Sequence, residues 1–238
     1  MTRIVLVTGG TSGIGRAIAA RFAAEGAEVV VTGRHVDTVQ STAKELSVRG
    51  AVCDATDPAQ VGALAERLDD RLDVLVNAAG GLGVAPAGGA PLEALLARWR
   101  SDLDSNLLSA VLTTASVQDR LVRGGSIISV GSIGAERRGG SYGAAKAALG
   151  AWNAFVSAEL GPRGITSNVI AAGYIAGTGF FRGGLTEERR DALVAETHNK
   201  RAGSTGDVAE TAFFLASAGA RHITGQTIHV NGGAFTTR

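Results

Sequence analysis

The stretch Thr8-Gly9-Gly10-Thr11-Ser12-Gly13-Ile14-Gly15 constrains this chain more than any other, because of what stands on either side of it. Ile4-Val5-Leu6-Val7 before it is an apolar run of strand length, and Arg16-Ala17-Ile18-Ala19 after it opens a helical pattern. Glycines at 9, 13 and 15 suit a tight turn, a backbone approach to an anion with no Cβ in the way, and close helix–strand packing. The helix N-terminus offers unpaired N–H groups to the same anion. A glycine pattern alone fits any βα turn, but this one leaves a strand, opens a helix and begins a βαβ unit. That context points to a dinucleotide pyrophosphate contacted by Gly9, Thr11, Ser12, Gly13, Ile14 and Gly15.

The rest of the chain repeats the same alternation. Short valine- and isoleucine-rich runs predict strands near 3–8, 28–32, 50–53, 73–77, 125–130, 165–171 and 226–230. Helical periodicity is expected near 14–25, 37–46, 58–69, 92–121 with a break near 104, 141–160, 187–197 and 207–216. This is an α/β chain: a Rossmann fold with a doubly wound, seven-stranded parallel sheet, helices on both faces, and ligands at the carboxyl ends of the strands. At 238 residues, 45% of them hydrophobic and 19% charged, the chain can bury one large core, and no repeat or linker divides it. One domain over residues 1–238 is expected. The Gly- and Ala-rich stretches 80–91 and 172–184 read as loops, with a substrate lid at about 174–200 carrying Tyr174, Phe180 and Phe181. Those rings are either an apolar contact surface for substrate or anchors to the lid's own core.

Twenty-three basic residues stand against 22 acidic ones without a basic block, so neither nucleic acid nor a membrane surface is expected as a partner. Cys53 is a lone cysteine, which suits a reducing compartment, and the first apolar run is too short for a signal peptide. A cytoplasmic location follows as the expectation. His35, His198, His222 and His229 lack metal-ligand spacing, so no metal is expected. Trp99 and Trp152 are expected in the core or at a subunit interface, and Phe213-Phe214-Leu215 on the buried face of a late helix.

The second strand ends at Gly33-Arg34, where an NAD site would place an acidic residue on the ribose 2′-hydroxyl. A guanidinium there suits the 2′-phosphate of NADP(H), with Ser12 adding a hydroxyl, and NAD(H) is disfavoured. A solvated loop arginine is the competing reading. Tyr142 and Lys146 lie four apart on one helix, so they share a face. An ammonium beside a phenol is expected to lower the phenol from about 10 by roughly two to three units, making it a usable acid and base for a carbonyl being reduced. Ser132 follows Gly131 at the exit of the fifth strand, whereas Ser129 precedes the strand end.

Taken in order, Thr8 to Gly15, Asp54, Asn77-Ala78-Ala79-Gly80, Asn106, Ser132, Tyr142-Gly143-Ala144-Ala145-Lys146, Arg201-Ala202-Gly203 with Asp207-Val208-Ala209, Ile223-Thr224-Gly225-Gln226 and Val230-Asn231-Gly232-Gly233 make a set. On these residues the chain resembles the short-chain dehydrogenase/reductase family, in particular the bacterial 3-oxoacyl-[acyl-carrier-protein] reductases. The resemblance implies that Asp54, with Ala55 beside it, contacts the adenine, and that Asn77, Ala78, Ala79 and Gly80 line the ribose side. It implies that Lys146 binds the nicotinamide ribose, Ser132 donates to the substrate oxygen, Tyr142 is the proton donor and acceptor, and Asn106 holds a relay water. It places Gly173, Ile175 and Thr178 at the nicotinamide. A homo-oligomer, tetramer or dimer, is implied too.

The chain departs from the family in three places. The Ser132 to Tyr142 interval is about three residues shorter, Ala172-Gly173 replaces Pro-Gly, and Thr205 replaces a frequent proline. Asp54 also reads as a helix cap and Asn77 as a partner of buried backbone. The expected activity is NADP(H)-dependent hydride transfer to a carbonyl or from a secondary alcohol, the carbonyl being a 3-oxoacyl thioester or another ketone. An NAD-dependent alcohol dehydrogenase and a non-catalytic nucleotide-binding regulator are the rival readings.

Overall fold

In a computed structural model, which describes residues 2–83, 90–137 and 139–237, seven strands form one parallel sheet. They are β1 (Ile4–Thr8), β2 (Glu28–Gly33), β3 (Arg49–Val52), β4 (Leu72–Asn77), β5 (Leu121–Ser132), β6 (Thr166–Ala172) and β7 (Thr227–Val230). The order is β3-β2-β1-β4-β5-β6-β7, so the chain winds outward from β1 to β3, returns, and winds the other way from β4. The switch point lies between β1 and β4, which pair from Val5–Val74 to Thr8–Asn77. The carboxyl ends of these two strands open the crevice where ligands of doubly wound sheets bind.

The helices are α1 (Gly13–Ala24), α2 (Val36–Leu46), α3 (Pro58–Glu66), α4 (Pro91–Leu103), α5 (Ser109–Val117), α6 (Gly140–Leu160), α7 (Glu187–Ala195) and α8 (Thr205–Leu215). Alternate strand residues face opposite ways, and both faces are apolar. On one side Val5, Val7, Val31, Val76, Ile128 and Ile170 pack against Ile18 and Phe22 of α1 and Val208 and Leu215 of α8. On the other, Leu6, Val30, Leu75 and Ile127 meet Val61 and Leu64 of α3, Val117 of α5 and Val156 and Leu160 of α6. Fully burying side chains such as Phe22 and Ile18 contributes about 1.5–3 kcal/mol each.

Several boundaries move from their sequence-based positions for visible reasons. The break expected near 104 is a π-helical turn, Asp104–Leu108, that joins α4 to α5 without interrupting the helix. β5 begins at Leu121 rather than 125, because Gly124 takes φ 82 and its pairing with β4 shifts register between Leu72 and Val74. α3 stops at Glu66 rather than 69, with Arg67 as its C-cap. α8 starts at Thr205 rather than 207, because Ser204 and Asp207 form a reciprocal capping box. Trp99 is 40% exposed and so is no core residue, and Phe214 is exposed beside buried Leu215. Part of the loop expected at 80–91 falls on residues 84–89, and Arg138 of the loop before α6 likewise lies outside the described residues.

Among the described residues no helix is long and apolar enough to cross a membrane.

Candidate active site

Most side chains at the crevice are placed by the ends of elements. Thr8 closes β1, and its buried hydroxyl accepts the N–H groups of Ala78 and Ala79 at 3.2 and 3.3 Å, tying the turn after β4 to the turn after β1. Gly9 follows at φ +64, where a Cβ would sit 2.8 Å from the Ala78 carbonyl oxygen. A Cβ on Gly15 would run into the Gly9 carbonyl, and Gly13 has φ +50. Three glycines are therefore sterically required. Ser12 occupies the N-cap of α1 in extended backbone, yet its hydroxyl makes no cap hydrogen bond and the first turn carries no acidic residue. The helix N-terminus is left with free donors and no competing anion, so the turn fits a pyrophosphate.

The flanking residues gather round it. Thr11 packs its side chain against the backbone of Gly33 at the end of β2, which brings Arg34 close to the turn. Arg34 is exposed, with no ion pair among the described residues. Asp54 does not cap α3: Asp57 does, accepting from Ala59 and Gln60, while the Asp54 carboxylate accepts from the N–H and hydroxyl of Thr56. Ala55 is buried beside it. On the far side, Gly173 abuts Asn231 and Ile175 is buried. Thr178 donates to the Ile175 carbonyl and places its methyl over Gly13, across the turn from α1.

Asn77, Ser129, Ser132 and Asn106 separate by partner. The Asn77 amide donates to the hydroxyl of Thr114 at 3.1 Å and lies 3.5 Å from that of Ser129. Ser129 is thus committed to holding the end of β4. Ser132 is the last residue of β5, accepts the Gly134 N–H at 3.0 Å and stands beside the Tyr142 ring at Gly134. Asn106 sits in the π turn, 1% exposed. Its amide donates to the Gly81 carbonyl and its carbonyl accepts the Gly81 N–H. A widened turn of this kind re-aims one side chain without ending the helix. Gly80 is the meeting point: a Cβ there would lie 2.6 Å from the Asn106 carbonyl oxygen and 3.4 Å from the Lys146 ammonium.

Tyr142 and Lys146 occupy successive turns at the start of α6, with Lys146 Nζ 5.9 Å from the phenol ring centre. The expectation that the ammonium lowers the phenol is corrected by the structure. Burial pushes Tyr142 up to about 12; the Ser132 hydroxyl opposes that rise and the charge of Asp102 adds to it. Burial also draws Lys146 down to about 8, and its ammonium is turned to the Val130 carbonyl, 2.8 Å away. Desolvation is the largest cause of both shifts.

Two features escaped the sequence. The lid rings form an edge-on chain from Tyr174 through Phe181 and Phe180 to Tyr142, with Phe180 and Tyr142 centred 5.4 Å apart. They pack on one another and on the candidate proton donor instead of on the main core. Asp102 and Ser141 also meet beneath the site. A signal existed for Asp102, which stands one helical turn before Asn106 in an amphipathic segment. Ser141 had none. Among the described residues no group of three His, Cys, Asp or Glu is placed to hold a metal.

The family model described as Enoyl-(Acyl carrier protein) reductase matches residues 9–235. The chain is 35% identical to the 3-oxoacyl-[acyl-carrier-protein] reductase of Escherichia coli over 248 residues, covering 98% of this chain and 97% of that one. A short-chain type dehydrogenase/reductase from Mycobacterium ulcerans superposes with TM-score 0.87 at 31% identity, over 98% of this chain and 89% of that one. Two further similar structures hold ligands. A blue fluorescent protein from a metagenomic library was solved with NADPH (TM-score 0.84, 32% identity, 98% of each chain). A 7α-hydroxysteroid dehydrogenase was solved with NADH and 7-oxo glycochenodeoxycholic acid (TM-score 0.86, 30% identity, 97% and 93%).

Proposed function

The chain belongs to the short-chain dehydrogenase/reductase family of oxidoreductases, and from that premise we propose that it is an NADP(H)-dependent carbonyl reductase in which Tyr142 donates the proton. The observation that carries the proposal is the meeting of Lys146 and Asn106 at Gly80 and of Ser132 and Tyr142 at Gly134, beside an uncapped, glycine-rich turn. The cofactor, when bound, supplies or accepts the hydride.

The chain's own residues do the rest. Gly9, Thr11, Ser12, Gly13, Ile14 and Gly15 cradle the pyrophosphate, and Arg34 takes the 2′-phosphate. Asp54 and Ala55 border the adenine, while Asn77 to Gly80 and Gly173, Ile175 and Thr178 line the two sides of the nicotinamide end. Ser132 orients the substrate oxygen by donating to it, and Tyr142 gives that oxygen its proton as negative charge develops. At neutral pH the phenol is in its donor form, as ketone reduction requires. Lys146 and Asn106 return a proton to the phenol from solvent. The substrate is a ketone or a 3-oxoacyl thioester, and the E. coli relative's activity supports the second. Residues 174–200 act as its lid. The NADPH-bound neighbour and the unpaired Arg34 support NADP(H), and the NADH-bound neighbour sets the alternative to be tested.

Leu92, Leu95, Leu96 and Trp99 form an exposed apolar stripe on α4, with Phe155 exposed on α6, which supports a homo-oligomer. A cytoplasmic site of action fits the buried lone thiol of Cys53. The deciding experiment measures NADPH oxidation against ketones and 3-oxoacyl thioesters, with NADH and Tyr142→Phe as controls. Turnover that needs Tyr142 supports the reading; turnover that survives Tyr142→Phe overturns it.

A further inference from the structure

Asp102 is a buried charge that none of the roles above requires. It is 1% exposed, and its carboxylate is held by two neutral donors: the Gly83 N–H at 2.7 Å on Oδ1 and the Ser141 hydroxyl at 2.6 Å on Oδ2. No cation pairs with it among the described residues. An ionised carboxylate removed from water costs several kcal/mol, and apolar residues of similar size commonly replace buried charges at no loss of stability. Joining α4 to α6 therefore needs no acid here.

What Asp102 touches is the site itself. Gly83 lies at the end of the turn that leaves Gly80, and a Cβ on it would collide with the carboxylate at 2.7 Å. Ser141 immediately precedes Tyr142 in the first turn of α6. The backbone carbonyl of Asp102 accepts the Asn106 amide at 3.0 Å. One residue thus touches the cofactor-side turn, the helix of the proton donor and the relay asparagine.

We propose that Asp102 is a positioning residue for the reaction: through Ser141 it clamps the start of α6 to the 80–83 turn, fixing Tyr142 relative to Ser132 and Asn106. This rests on the carbonyl reductase reading. Its charge has a second effect, because a carboxylate near a phenol disfavours the phenolate and so adds to burial in keeping Tyr142 protonated.

Other charged groups among the described residues stand near this site. Lys146 comes from α6 itself, and Glu136, after β5, lines a small cavity with Ser132 and Lys146. Arg137 is paired with Glu196, Asp104 of the π turn is exposed, and among the described residues the lid sets the Phe180 ring against Tyr142. Asp102 is the anion that α4 sets against this site.

The test uses the full chain, NADP(H), and a ketone and its alcohol found by the substrate panel. Asp102→Asn keeps the size and removes the charge; Ser141→Ala keeps the charge and removes the clamp. In Asp102→Asn, the pH at which alcohol oxidation reaches half its plateau is expected to fall by at least about half a unit. Ser141→Ala is expected to lower kcat about tenfold with that pH unmoved, and Ser141→Thr to restore it. NADPH affinity stays within about twofold in all three, because none touches the pyrophosphate turn.

An unshifted profile in Asp102→Asn overturns the proposal, as does activity lost only in proportion to folded protein. If Asp102→Asn does not fold, a wild-type kcat in Ser141→Ala overturns it. Undiminished turnover in Tyr142→Phe defeats the underlying reading instead. An inactive Tyr142→Phe beside wild-type behaviour in the other two defeats the clamp alone.

Discussion

The ring of Phe180 stands edge-on over the ring of Tyr142, with centroids 5.4 Å apart and planes inclined at 61°. A lid residue thus occupies space that a substrate carbonyl must share when it approaches the phenol. Phe180→Ala is expected to favour bulky ketones, raising the ratio of kcat/KM for a bulky over a small ketone by about tenfold. Steady-state kinetics with a matched pair of ketones checks this. An unchanged ratio would mean that substrate reaches Tyr142 without displacing the ring.

Lys146 costs the folded protein stability. Its pKa is about 8 folded against 10.5 unfolded, so between those values the unfolded chain holds more protons and stability rises with pH. Below that window the full penalty applies, roughly 3 kcal/mol. Tyr142, raised from 10.0 to about 12, acts in the opposite sense: above 10.0 the folded state holds more protons and stability falls. Lys146→Met is therefore expected to raise the melting midpoint at pH 7 by roughly 5 °C, flatten the rise between about 8 and 10.5, and abolish turnover. Differential scanning calorimetry across pH reads all but the last. A lower midpoint in the variant would show that the Val130 hydrogen bond outweighs the desolvation.

Arg34 follows Gly33, which abuts Thr11 at the end of β2, and has no ion-pair partner among the described residues. Arg34→Asp is expected to weaken NADPH binding about tenfold to a hundredfold while leaving NADH equal or improved, since charge-assisted contacts to a phosphate contribute roughly 1.5–3 kcal/mol. Fluorescence titration with both nucleotides decides it. Equal weakening of the two would place the guanidinium away from the 2′ position.

The α4 stripe of Leu92, Leu95, Leu96 and Trp99 repeats at helical spacing on an exposed face. Leu95→Asp is expected to shift the sedimentation coefficient to that of a smaller species, with the far-ultraviolet spectrum retained. A wild-type coefficient that already matches a monomer would assign the stripe no role in self-association.

Strand and helix periods make the sheet legible in the sequence, because a parallel sheet covered on both faces writes its strands as short apolar runs. The motif residues at strand ends were legible for the same reason, since Thr8, Asn77 and Ser132 follow directly from where strands stop. What was not legible depends on contacts between segments distant in sequence. Asp102 and Ser141 are 39 positions apart, and nothing in either neighbourhood announces the other. The pKa direction of Tyr142 is not legible in the sequence, because spacing reveals proximity, whereas burial is a property of the assembled molecule. Ser129 and Ser132 were separable by their place on one strand, but the commitment of Ser129 near Asn77 needed a second strand to be seen.

The π turn at Asp104–Leu108 amounts to one residue too many for the helix that contains it. Excising a single residue there would heal the hydrogen-bond ladder into an uninterrupted helix and, by the ordinary helical step, rotate everything beyond it by about 100°. Asn106 could then no longer face Gly81, and Thr114 would turn away from Asn77. The more regular helix would carry the poorer site, so natural variation in this segment should tolerate changes of residue type far better than changes of length.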